Sequence, residues 1–312
     1  MSDNPRSVSF RNGDIDIAGA LHLPPGFDVQ RRYPALVIAT PGSSVKEQIG
    51  AVYGRELAAR GFVALVFDPA YQGQSGGLPR DREDPATRIE DIRCAADHLV
   101  TLPFVAEDRI GLLGICAGGG YAVSAAMIDR RFKALGTVVA SNIGRAFRQN
   151  EASPDAVDEM LEAVARQRTA EARGAAQRRD NWLPDTPEDA AAAGITDRDM
   201  LDAIDFYRTP RGRSPHSTNR LHFESMSRIL GFDGFHLAEQ LLVQPVLVVV
   251  GGRPGTTFSY ADGKRLYEQA RNRQGFVAVE GAGHYDLYDK REYVDQAIEA
   301  LCPFFKTQIA AA

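Results

Sequence analysis

Four short, nearly continuous apolar runs alternate with segments of helical period in the first half of the chain. They are "YPALVIAT" (33–40), "FVALVFD" (62–68), "RIGLLGI" (109–115) and "ALGTVVAS" (134–141). Runs that are apolar at consecutive positions belong to strands covered on both faces. Strand–helix alternation of this kind builds a parallel sheet with helices on either side. The separators fit: "KEQIGAVYGRELAARG", "DPATRIEDIRCAADHLVTL" and "YAVSAAMIDRR" all space their apolar residues as helices do. Upstream, "SVSFRNGDIDIAGALHLP" alternates apolar and polar residues around Asn12-Gly13, a hairpin signal that adds antiparallel edge strands.

The alternation stops at about 143 and resumes with "PVLVVVGG" (245–252), a helix from Ser259, "GFVAVEG" (275–281) and an amphipathic helix from about 289. The interval is polar, rich in arginine and alanine, and helical in period, with no buried strand. It is too long for a loop. The expected organisation is therefore an α/β core at 1–142 and 237–312 with a helical lid inserted at 143–236. The lid is expected over the carboxyl ends of the strands, where open α/β sheets bind ligands.

Of the 312 residues, 44% are hydrophobic and 25% charged, an ordinary globular composition, and the net charge of −5 creates no field for nucleic acid. No apolar run reaches the roughly 18–20 residues that cross a bilayer. "MSDNPRSVSF" has no signal-peptide core. Cys94, Cys116 and Cys302 are odd in number and lack metal-ligand spacing. A reduced, cytoplasmic protein without metal or cofactor is expected. Its expected partner is a small acyl substrate, not nucleic acid or membrane, and the sequence leaves a homodimer open.

The third run drives into "GICAGGG". Gly114-Ile115-Cys116-Ala117-Gly118 has the Gly-x-nucleophile-x-Gly spacing of a strand-to-helix elbow, with cysteine at the apex. A nucleophile there sits on a strained turn, and its neighbours two residues away must lack side chains. The helix that follows aims its N-terminus at Cys116, which is expected to favour thiolate. The Ala117 N–H then faces the developing oxyanion. A buried structural cysteine is the alternative, but strand before and helix after are the context the motif requires.

Such a nucleophile needs a base. Of six histidines, His284 in "VAVEGAGHYDLYDK" follows the last strand, the position its chain order requires. The second oxyanion donor is expected in "ATPGSSVKEQ", after the first buried strand, from the backbone of Ser43 or Ser44.

Together, "GICAGG", "TPGSSVKEQ" and "EGAGHYDLYD" resemble an α/β-hydrolase over roughly 220 residues, and "FDPAYQGQSGG" resembles a further turn of that family. The cysteine is similar to that of dienelactone hydrolases. "DFYRTPRGRSP" and "GGRPGTTFSYADG" look closer to polyketide-transferase-like enzymes. The resemblance implies an acid in the loop after 245–252, yet none stands between Arg253 and Thr256. Asp262 is the nearest, although Ser259 and Asp262 also fit a helix capping box. Asn142 is a rival, since an asparagine can orient imidazole. Asp286 and Glu280 flank His284, and Asp68 ends the second buried strand in a structural position. A thiol needs less help from its base than a hydroxyl does, so a Cys116–His284 dyad is chemically sensible.

In the lid, Tyr207, Arg208 and Arg211 can contact substrate or tie down the lid base, and Trp182 and Phe206 can line a pocket or pack against the core. The expected activity is cleavage of a small ester, lactone or thioester through a Cys116 acyl-enzyme, with His284 as general base and acid. Acyl transfer to an acceptor other than water is the alternative, as is a non-hydrolytic role on the same fold.

Overall fold

A computed structural model of the chain describes residues 5–150 and 153–310. The first four residues, part of the N-terminal stretch read above for a targeting signal, lie outside the described residues. The hairpin forms as expected, with β1 (Arg6–Asn12) antiparallel to β2 (Ile15–His22) and Gly13 at φ +55° in the turn. Then come β3 (Tyr33–Ala39), α1 (Ile49–Ala58), β4 (Val63–Phe67), α2 (Pro85–Thr101), β5 (Val105–Ile115), α3 (Ala117–Ile128) and β6 (Phe132–Val138).

The interval that follows holds α4 (Ile143–Asn150), α5 (Pro154–Ala172), β7 (Arg179–Asn181), α6 (Pro187–Ala192), α7 (Arg198–Arg208), β8 (Arg220–His222), α8 (Ser225–Leu230) and α9 (Ala238–Leu241). The chain returns to the sheet with β9 (Pro245–Gly251), α10 (Ser259–Gln269), β10 (Asn272–Val279), the single turn α11 (Asp286–Asp289) and α12 (Arg291–Ala310). The inserted segment is mostly helical, as its period predicts. It also carries a small antiparallel pair, β7 with β8, that the sequence did not announce. Strands of three residues have no room for an alternating pattern.

The main sheet has eight strands in the order β1-β2-β4-β3-β5-β6-β9-β10, parallel from β4 onward. Each buried strand feeds two cores because successive side chains point to opposite faces. From β3, Ala35, Val37 and Ala39 join α2 and α3 on one face, while Leu36 and Ile38 join α1 and α12 on the other. The chain steps outward from β3 to β4, then back to β5 on the far side. That reversal opens a crevice at the carboxyl ends of β3 and β5. The turn after β5 lies there.

In that turn Cys116 takes φ 53°, ψ −128°, a conformation that costs an L-residue about 1–3 kcal/mol. The strain is held by its neighbours: Cys116 N–H donates to the Val138 carbonyl at 3.1 Å, and the Cys116 carbonyl accepts from Ser141 N–H at 2.9 Å. Gly118 lets α3 start against β3, because a Cβ there would press into the Ala39 carbonyl and lie 2.6 Å from the Thr40 oxygen. Both obstacles are backbone and cannot swing aside. Gly118→Ala is therefore expected to destabilise the fold by about 3 kcal/mol, read as a lower midpoint in chemical denaturation. An unchanged midpoint would show that α3 can shift.

Candidate active site

The elbow opens into a cavity of about 400 Å³ at the crevice, roofed by the inserted segment. Cys116, Ala117 and Ser43 line its floor, and Ile143, Phe147, Trp182, Leu183, Met200 and Ala203 its apolar wall. Trp182 meets Phe147 edge to face at 6.2 Å. Tyr207, Tyr285 and Tyr288 line the side near the thiol, and Asp197 and Asp199 bring carboxylates to the roof. Of the lid residues singled out from sequence, Tyr207 and Trp182 thus reach the cavity. Arg211 does not: its guanidinium is spent on Asp289, Asp205 and the Tyr285 carbonyl, so it clamps α7 to the loop carrying His284. Of the two roles expected for it, this is the one at the lid base and not the substrate contact. Arg208 lines the cavity while pairing with Asp185 at 3.1 Å, and Phe206 is buried against Tyr288.

His284 is 2% exposed. Burial, which disfavours the imidazolium, lowers its pKa to about 4, with the Asp199 charge acting in the opposite direction. Its Nε2 lies 3.2 Å from the Tyr288 hydroxyl. That hydroxyl also interacts with the Cys116 thiol. The Tyr288 hydroxyl thus stands beside both residues of the dyad expected from sequence. Tyr288 stands four residues after His284, across a single turn of backbone, a spacing that puts the two on one face. That spacing is the signal for Tyr288 in the sequence.

Burial also changes the state of the nucleophile. It pushes the Cys116 pKa up, against the favourable contacts of Tyr288 and the Ala117 N–H. The expected thiolate is thus corrected: the resting pair is thiol and neutral imidazole, because desolvation exceeds what the helix N-terminus supplies.

The two oxyanion candidates in the loop after β3 separate. Ser43 takes φ 56° and lines the cavity. Ser44 is fully buried behind it, with its N–H on Pro41 and its hydroxyl on Gln48. Ser43 N–H meets Glu83 at 3.4 Å, a long contact that a developing oxyanion can displace. Glu83 is fully buried, accepting from Tyr121 at 2.7 Å and Gln72 at 2.6 Å and pairing with Arg88. Arg88 in turn holds the carbonyls of Thr40 and Pro41. This buried network pins the loop from below, and nothing in the local sequence pattern marked it.

The acids weighed from sequence are committed elsewhere. Asp262 accepts from Asn142 N–H at 2.8 Å and pairs with Arg145, and burial raises its pKa to about 6. Asn142 spends its side-chain amide on Asp233 and Gly234. The capping box does not form either, since Phe258 in the left-handed region precedes α10 and Ser259 faces Thr257. Asp286 holds Gly283 N–H, Arg253 and Lys290. Asp68 ties Lys46 to Gln74, the structural role expected of it. Among the described residues His284 Nδ1 has no hydrogen-bond partner.

Sheet order, elbow and late histidine define the class: the chain belongs to the α/β-hydrolase superfamily. It is 39% identical over 306 residues to YcjY of Escherichia coli (strain K12), covering 96% of this chain and 97% of that one. It is 26% identical over 270 residues to a thiohydrolase of Eupenicillium brefeldianum, covering 86% and 84%. It is 24% identical over 312 residues to the polyketide transferase claH of Penicillium crustosum, covering 95% and 98%. The crystal structure of PA2218 from Pseudomonas aeruginosa superposes with a TM-score of 0.87 at 29% identity, over 97% of this chain and 93% of that one. The α/β hydrolase GrgF from Penicillium sp. sh18 superposes with a TM-score of 0.79 over 98% and 99%, a likeness of fold at 20% identity. No protein-family model matches. The chain is an enzyme of the hydrolase or acyl-transfer class. Among the described residues no helix is long and apolar enough to cross a membrane.

Proposed function

We propose that the enzyme cleaves an ester, lactone or thioester of an apolar acyl group through an acyl intermediate on Cys116. The observation that supports this most directly is the Tyr288 hydroxyl, 3.2 Å from His284 Nε2 and in contact with the thiol of the elbow. As Cys116 Sγ attacks the carbonyl carbon, its proton passes to Tyr288 Oη, and the Tyr288 proton passes to His284 Nε2. Burial holds the Tyr288 pKa far above its ordinary value, so the phenol gives one proton as it takes another and never stands as phenolate. The carbonyl oxygen becomes an oxyanion facing the Ala117 N–H and the Ser43 backbone. Collapse breaks the bond to the leaving thiolate or alkoxide, which takes the proton back along the same path. Water then repeats the sequence and releases the acid. The apolar wall suits an aliphatic or aromatic acyl group, and Asp197 and Asp199 disfavour an anionic one.

The test is intact mass after mixing the enzyme with a butyryl thioester and quenching within the first turnovers. A single butyryl adduct on the peptide containing Cys116 is expected. Turnover with the adduct on no cysteine would overturn the covalent scheme. Acyl transfer is the second reading, favoured by relatives named polyketide transferase and acyltransferase. Adding an amine or thiol acceptor separates the two. Diversion of most butyryl product to the acceptor would mark a transferase, and an unchanged yield of butyrate a hydrolase.

A further inference from the structure

His284 is buried with one ring nitrogen unbonded, and a neighbouring carboxylate is only half used. Nδ1 has no partner among the described residues. Asp199, 6% exposed on α7, accepts from Thr257 N–H at 3.0 Å through Oδ2, while its Oδ1 bonds to none of the described residues. A Cβ built on Gly255 would lie 2.6 Å from both Oδ1 and Cγ of Asp199. The Asp199 carboxylate therefore occupies the space that a side chain at position 255 would fill, in the loop after β9. That loop packs against the one carrying His284: the Arg253 N–H donates to the Ala282 carbonyl, and the Arg253 guanidinium covers Gly283.

We propose that Asp199, carried by the inserted segment, is the acid that orients His284, its Oδ1 accepting from Nδ1–H directly or through one water when the segment settles on substrate. This rests on His284 being the base of the reaction proposed above. Asp199 is then a positioning residue, and the insertion completes the catalytic apparatus as well as roofing the cavity.

The surroundings leave no equal competitor. The rings of Tyr285 and Tyr288 pack against the His284 imidazole, from the start of α11 and from within it, and neither is a carboxylate. Arg253, Asp202, Asp286 and Lys290 form a separate ion-pair group around Gly283. With Asp199 as acceptor, the neutral imidazole keeps its proton on Nδ1. Nε2 is then free to accept from Tyr288, the tautomer that the proton path requires.

Asp199→Asn keeps an oxygen for Thr257 N–H but removes the charge. It is expected to lower kcat on a butyryl thioester by about 10²-fold or more with little change in KM. It should also abolish a far-downfield Nδ1–H proton resonance that appears in the wild-type enzyme when a non-cleavable butyryl thioester analogue is bound and is absent from His284→Gln. Gly255 is not in the left-handed region, so its backbone accepts a side chain once the Asp199 carboxylate is removed. Gly255→Asp in an Asp199→Ala background should return at least tenfold of the lost kcat, by supplying the carboxylate from the core. Full activity in Asp199→Asn, or a loss confined to KM with the resonance intact, would overturn the proposal while leaving His284 as base. Full activity in His284→Gln would overturn the underlying reaction instead.

Discussion

Replacing Cys116 by alanine is expected to lower kcat/KM on a butyryl thioester by at least about 10³-fold and to remove the acyl adduct, while the melting midpoint barely moves. The fold has little stake in the thiol, because the turn is held by the backbone bonds of Cys116 to Val138 and Ser141. The proposed reaction depends on it entirely. Cys116→Ser sharpens the expectation. Burial already lifts the thiol above its ordinary pKa, so the nucleophile gives up its proton only when the base takes it. A serine hydroxyl is harder still to deprotonate, and Cys116→Ser should fall well below wild type while remaining measurably above Cys116→Ala. For the same reason a mild alkylating reagent should label Cys116 at neutral pH no faster than an ordinary exposed thiol. Rapid labelling at neutral pH would mean a resting thiolate and would contradict the role of burial argued above. Cys94 is buried and its pKa is pushed up to about 11, so it provides a slow internal reference.

The fold could be read from the apolar runs because burial on both faces removes the alternation a half-exposed strand must keep. β3, β4, β5, β6 and β9 all fall on such runs. β5 begins earlier than expected, at Val105, since its start holds the charged stretch Glu107–Arg109 beside a register irregularity. Cys116, Ala117, Ser43 and His284 stand out in the sequence because each sits at a junction between strand and helix, where local backbone geometry selects the residue type. The acid was not found, and the reason is physical. Asp199 comes from α7 of the inserted segment, and only tertiary packing sets it over Gly255. Asp262 and Asn142 looked suitable from position alone, but they bond to each other across the base of the insertion. The same holds for Glu83 and Arg88, a buried pair that is ordinary in sequence and decisive only once the loop from Thr40 to Ser43 lies over it.

Tyr288→Phe keeps the ring packed against Phe206 and Tyr285 and removes only the hydroxyl. It is expected to reduce the rate of acyl-enzyme formation by roughly 10²-fold, within the range of a lost general acid–base partner. Substrate affinity should hold, because the cavity wall is intact. The pH profile provides a second readout. Burial lowers His284 to about 4, so the wild-type kcat/KM should stay level from neutrality down to about pH 5 and fall only as His284 takes a proton near 4. An unperturbed imidazole would lose activity near 6.5.

Acid unfolding is measured alongside this limb. His22 and His284 bind their proton at about 4 when folded and near 6.5 when unfolded, so they withdraw stability as the pH falls through that window. Asp91 and Asp262 are raised from 3.8 to about 6, bind their protons earlier in the folded state, and return stability over nearly the same window. His98 and His222, lowered by burial, and Asp129, Asp233 and Asp286, held below their ordinary range, also withdraw stability on acidification, so circular dichroism along the same pH series separates unfolding from titration of the active site. An acid limb near 6.5 in wild type, or wild-type acylation in Tyr288→Phe, would remove the phenol from the proton path and return the reaction to direct contact between Cys116 and His284.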